Sequence, residues 1–264
     1  MKLTFNDKYR IFYPFIICSI PISLIVAYYT SWWWIIFGFI WFRLIGILFV
    51  SIGLHRYFSH RSFNTGPKRH AMLAIGSVLT GNGSPLAFAT KHMHHHLYSD
   101  TEKDIHSPVI DGALHAALLW PMGTQDYFLN QKGAKLPMHW LKDRLVLFVH
   151  LNYFALWLTL AALLWLIDWK IPLFFMAFPA GMSVIIGNIL INWLSHRNFI
   201  GSYRNYNTND NSFNNKLIQW IETGEGFHNN HHQAMGNYNF ARMPGEFDPC
   251  AWIIDKFLIV KKYK

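Results

Sequence analysis

Four stretches of this 264-residue chain are so long and so apolar that a lipid bilayer is the solvent they fit. A helix needs about 20 apolar residues to cross the hydrocarbon core. Residues 11–29, 32–52, 145–167 and 171–194 each meet that requirement. In hydrocarbon every backbone N–H and C=O must be satisfied within the segment, so the four runs are expected to be helices. The first is too long for a signal-peptide core and has no obvious cleavage site. Tyr28, Tyr29, Trp32, Trp33 and Trp34 fall between the first two runs, where an interfacial aromatic belt belongs. Charged residues make up 14% of the chain, against about 25% in soluble domains. Mean hydropathy is +0.16, which leaves room for a substantial polar part.

Charge gives the orientation. The segment joining the first two runs carries no lysine or arginine, and the turn joining the last two carries only Lys170. Nearly all other basic residues lie before the first run, between the second and third, or after the fourth. The positive-inside rule then puts both termini and the long middle segment in the cytoplasm. The net charge of +9 is a topology signal on this reading, not a nucleic-acid footprint. Residues 71–89 are moderately apolar but broken by GNGSP at 81–85, and read as a buried or interfacial segment, not a span. RNYNTNDNSFNN at 204–215 reads as a polar loop. Cys18 and Cys250 form no metal or redox spacing. No linker divides the chain. The expected architecture is therefore one all-α integral-membrane domain over residues 1–264. It has four transmembrane helices in two hairpins, and a cytosolic helical cap from 53–144 and 195–264.

The 15 histidines are unevenly placed. HRYFSH contributes His55 and His60 where the second run leaves the membrane, and HMHHH contributes His92, His94, His95 and His96. His196 follows the fourth run with Asn192 one helical turn earlier, and GEGFHNNHH contributes His228, His231 and His232. Spacings of three and four put side chains on one helix face, so each group is able to point at one site. All four groups fall on the cytoplasmic side. Imidazole suits zinc, copper, iron and nickel, and three or four histidines saturate one zinc. Eight to ten converging imidazoles exceed one ion and imply a dinuclear site. Asp100, Asp104 and Glu225 lie close in sequence and are candidates to orient the ligands. His70, His115, His139 and His150 stand alone and read as structural.

These residues resemble the histidine boxes of the membrane fatty acid desaturases, in particular the stearoyl-CoA (Δ9) group. HxxxxH corresponds to His55 and His60, HxxHH to His92, His95 and His96, and the final HxxHH after GEG to His228, His231 and His232. His196 and Asn192 match the family's additional histidine and the asparagine before it. The resemblance runs from the second span to near the C-terminus. It implies that the nine histidines bind two irons, that Asn192 reaches one of them through a water, and that His94 is not a ligand. LYSDTEKDIH after the second box also fits, making Asp104 and His106 second-sphere candidates. WPMGTQDYFLNQKGAK lacks the basic cluster that holds CoA in acyl-CoA-using relatives, with Lys132 and Lys135 as the available substitutes.

Taking hydrogen from mid-alkyl carbon is beyond any side-chain acid, base or nucleophile, so a cofactor must carry it. The resemblance implies O₂ as co-substrate, a fatty acyl substrate linked to CoA, a carrier or a lipid, and a cis double bond as product. The chain shows no dinucleotide fingerprint, haem motif or cytochrome b5-like segment. A separate electron-transfer protein, cytochrome b5- or ferredoxin-like, is expected at the cytoplasmic face, with Lys68, Arg69 and Lys91 as candidate contacts. A bacterial inner membrane is the expected location, with the endoplasmic reticulum as alternative. A lipid hydroxylase or ketolase on the same scaffold, and a non-enzymatic metal-binding membrane protein, remain open.

Overall fold

A computed structural model describes residues 4–123, 137–222 and 224–260. Four helices in it are long and apolar enough to cross a membrane: α1 (Phe5–Tyr29), α2 (Trp33–Ser59), α5 (Arg144–Trp165) and α6 (Lys170–His196). Ile25, Phe39, Ile40, Leu151 and Leu158 point outward from them uncovered. Such apolar surface in all directions belongs in lipid. The protein is an integral membrane protein.

α1 starts six residues before the apolar run does. Thr4 and Asp7 form a reciprocal capping box that satisfies the first free N–H groups. α1 and α2 both pack on Phe178–Gly187 of α6. The approach is close at Gly181, where a β-carbon would stand 2.3 Å from the Ile16 carbonyl oxygen. Small residues permit such backbone contact between membrane helices. Tyr9, Tyr13, Ile16, Tyr153, Trp157 and Met176 fill the core of this stem.

α3 (Pro67–Thr80) and α4 (Pro85–Tyr98) meet at 80°, so they do not make one straight crossing. Gly81 and Gly83 turn the chain between them with φ of +73° and +97°, a region where glycine is at home. Tyr57, Phe58, Leu73, Trp140 and Ile254 build a second core. The 204–215 stretch is largely irregular, as its composition suggested. Its end pairs as a two-residue strand, β2 (Asn214–Asn215), with β1 (Ser202–Tyr203). Three short helices follow: α7 (Lys216–Ile221), α8 (His228–Gln233) and α9 (Pro249–Ile253).

α2 runs to Ser59, past the predicted end at 52, and its last part, Gly46–Ser59, is wound as a π-helix. This matters for the first histidine box. Five positions along an α-helix turn a side chain about 140° off the starting face. A π-turn instead closes i to i+5, and the His60 N–H donates to the His55 carbonyl at 3.2 Å. The two imidazoles thereby end 5.0 Å apart.

Candidate metal centre

The nine histidines of the boxes, drawn from α2, α4, α6 and α8, come together in two groups. One holds His55, His60, His92, His96 and His231; the other holds His95, His196, His228 and His232. Within each group all the candidate donor atoms lie within 4.8 Å of one another. The boxes are not each aimed at a single site, as their spacing suggested. His92 and His96, four apart, stay together, as do His228 and His232. Their neighbours His95 and His231 cross to the opposite group, because one residue turns a helix by about 100°.

The ring contacts identify what these groups are for. Nε2 of His231 lies 2.9 Å from Nε2 of both His55 and His96, and His60 approaches His92 at 2.8 Å. In the other group Nε2 of His228 is 3.0 Å from Nε2 of His196 and of His232. Four of the rings have Nδ1 against a carboxylate: His55 with Glu225 at 2.6 Å, His95 with Asp104 at 3.0 Å, His196 with Asp100 at 3.0 Å, and His232 with Asp210 at 2.7 Å. Such a partner takes the ring's one proton on Nδ1 and leaves Nε2 a bare lone pair. A neutral imidazole has one N–H at most to offer, so His228 cannot donate from Nε2 to both His196 and His232, whereas one cation between the rings satisfies all three lone pairs. Two nitrogens about 2.1 Å from one ion, at right angles, are about 3.0 Å apart. The residues therefore fit a metal ion in each group. Four ionised carboxylates balance the formal charge of two divalent ions.

The electrostatics agree. Burial, then His232 and its neighbouring rings, holds His228 far below the usual imidazole range, and burial with His55 and His60 does the same for His231. Both are neutral, as metal ligation requires. Burial alone would raise the carboxylates, but the rings they hold outweigh it. Glu225, with His55 and Arg56, and Asp100, with His196, are each brought down to about 2. Asp104 and Asp210 are also held low, by His95 and His232 respectively.

Of the second-sphere candidates, Asp100, Asp104 and Glu225 each meet a ring nitrogen. His106 does not orient a ligand through a hydrogen bond: it lies against the His95 ring at 4.3 Å, and its Nδ1 is 4.0 Å from Asp104. Asp210 was missed, since nothing in the asparagine-rich stretch distinguishes it. Asn192 lines the same cavity as His228 and donates from Nδ2 to Asn188 at 3.1 Å. His94 turns away from both groups and donates to the Lys103 carbonyl at 2.8 Å. His150 meets Ser84 Oγ at 2.6 Å, and His70 meets the Tyr57 hydroxyl at 3.0 Å. Lys91 is not available to a docking partner. It is buried with its ammonium 4.6 Å from the Tyr9 ring, whereas Lys68 and Arg69 are exposed. Lys132 and Lys135 lie outside the described residues.

One cavity touches both groups. Its wall includes His55 and His92 from the first and His95 and His228 from the second, with Phe88 and Val184 among its apolar members. Glycine is obligatory at one supporting position: a β-carbon on Gly226 would lie 2.0 Å from the Gln219 backbone nitrogen. Asp210→Asn is expected to lower metal affinity about 10- to 100-fold, the usual loss for a second-sphere partner. Metal titration of the purified variant checks this, and unchanged affinity would remove Asp210 from the centre.

The family model described as fatty acid desaturase matches residues 31–242. Curated relatives point the same way. "Probable lipid desaturase ADS3.2, chloroplastic" of Arabidopsis thaliana is 28% identical over 223 residues, covering 80% of this chain and 57% of its own. "Delta-9 acyl-lipid desaturase 2" of the same plant is 29% identical, covering 80% and 67%. "Stearoyl-CoA desaturase 5" of Homo sapiens is 27% identical, covering 89% and 69%. The chain thus spans less than two thirds of the chloroplastic relative's length.

Proposed function

Since the chain belongs to the fatty acid desaturase family, we propose that it is an O₂-dependent fatty acyl desaturase that introduces a cis double bond, at Δ9, into a saturated chain. The single observation that carries this reading is the cavity bordered by both histidine groups. An acyl segment entering it would face both metal positions. His55, His60, His92, His96 and His231 would hold one iron, and His95, His196, His228 and His232 the other, with Asn192 acting through a water. Iron supplies the O₂-dependent oxidising power when bound. The protein's own part is to hold the rings, shape the cavity and fix which carbons face the centre; positioning of this kind contributes heavily to rate.

The proposed topology is four spans in two hairpins, with termini, cap and metal centre in the cytoplasm. Electrons would come from a separate one-electron carrier protein. CoA-, carrier- and lipid-linked chains all remain candidate substrates.

The test is expression in a host that lacks unsaturated fatty acids, followed by lipid mass spectrometry with double-bond location. A new cis monoene is expected, and metal analysis is expected to give two irons per chain. A new oxygen on a saturated chain would make the protein a hydroxylase or ketolase instead. Zinc in the centre with no modified lipid would make it a metal-binding membrane protein.

A further inference from the structure

The cavity wall carries one acid that does nothing for the histidines. Glu222 caps the C-terminal end of α7 and lines the cavity. Its Oε2 is sealed from solvent and, among the described residues, has no hydrogen-bond partner. Glu225, three residues on, is by contrast fully engaged with His55 and Arg56. Across from Glu222 stands Gly187 of α6, where a β-carbon would lie 3.3 Å from Glu222 Oε1, so the missing side chain makes room for the carboxyl. The charged groups facing it are Glu225 and, from α2, Arg43. Arg43 donates to the Trp220 carbonyl at 2.6 Å, and among the described residues no ion pair holds Glu222. Burial, reinforced by Glu225, outweighs Arg43 and pushes the Glu222 carboxyl up to about 8. The residue as a whole is only half-buried, so part of it reaches the molecular surface.

The proposed reaction consumes protons: R–CH₂–CH₂–R′ + O₂ + 2e⁻ + 2H⁺ → R–CH=CH–R′ + 2H₂O. Two C–H bonds and the O–O bond break, and the C=C bond forms. O₂ takes four electrons, two from the substrate and two from the one-electron carrier. Of the rings that line the cavity, His55 and His95 keep their Nδ1 proton against Glu225 and Asp104. We propose that Glu222 is a proton donor of this cavity, giving its carboxyl proton to the oxygen being reduced and recovering one from solvent between turnovers. This rests on the desaturase reading.

The test compares the iron-loaded wild type with Glu222→Gln and Glu222→Asp. For Glu222→Gln, kcat is expected to fall at least about 100-fold, the lower range for loss of a general acid, with KM for the acyl substrate little changed. The solvent deuterium isotope effect on kcat is expected to rise, and Glu222→Asp to recover most of the rate. Independently of turnover, the infrared C=O band of a protonated carboxylic acid is expected at pH 7 and is expected to vanish in Glu222→Gln. Absence of that band from wild type, wild-type kcat in Glu222→Gln, or an aspartate variant as slow as the glutamine one overturns the proposal. A wild type that makes no unsaturated product removes the desaturase reading instead, while the infrared band still reports whether Glu222 holds a proton.

Discussion

Replacing His231 by alanine is expected to abolish product formation and to reduce iron from two ions per chain to about one. His231 is fully buried, and its Nε2 lies 2.9 Å from the Nε2 atoms of His55 and His96. It belongs to the five-histidine group only, so the four-histidine group keeps all its rings. Loss of a ligand removes a bond to the ion itself, a larger effect than the 10- to 100-fold that a second-sphere partner such as Asp210 contributes. The control lies in the second box. His94→Ala loses, among other contacts, the hydrogen bond to the Lys103 carbonyl, worth about 1 kcal/mol, and is expected to retain product because the ring belongs to neither histidine group. Circular dichroism of the metal-free variants separates ligand loss from unfolding, since the His231 ring also packs 4.5 Å from Phe240. A His231→Ala protein that loads two irons and forms product would remove His231 from the centre.

The spans were readable because hydropathy over about 20 residues is a local property. Their ends were less so. The start of α1 depends on the Thr4–Asp7 capping box, and α2 continues to Ser59 because partners from distant segments satisfy its polar residues. Spacing brought out the clusters and the family resemblance implied which histidines make up the boxes; the division between groups was not readable. His95 and His96 are neighbours in sequence yet serve different groups, because α4 runs between the two. That outcome depends on where α2, α6 and α8 stand around it. Asp210 was invisible for the same reason. It is one aspartate in a polar stretch until the fold brings it 2.7 Å from His232. Glu225 was singled out by its place in GEG beside a box, but its second partner, Arg56, was not.

Arg56→Met is the substitution expected to cost most in stability. Arg56 follows His55 in the first box and is completely buried. Its guanidinium donates to Glu225 at 2.6 Å, to Asp248 at 3.0 Å, to the Gly224 carbonyl at 2.8 Å and to the Tyr238 carbonyl at 2.9 Å. It also bonds Ser51, and it lies 3.7 Å from the centre of the Phe240 ring. Methionine replaces the length but leaves Glu225 and Asp248 as carboxylates in the interior without their cation. Breaking a buried ion pair on one side costs about 3–5 kcal/mol. Arg56→Lys is expected to recover only part of this, because an ammonium cannot reproduce a planar fork that meets several acceptors at once. Adding Asp248→Asn to Arg56→Met removes one stranded charge, and the double variant is expected to be more stable than the single. Denaturant unfolding in detergent micelles measures all three, and Arg56→Met within about 1 kcal/mol of wild type would contradict the ion-pair account. The consequence reaches the metal centre, because the Glu225 carboxylate that Arg56 fixes is the one that holds His55. A Glu225 released from Arg56 no longer sets the His55 ring, so iron loading of the five-histidine group is expected to weaken even in the folded fraction of Arg56→Met.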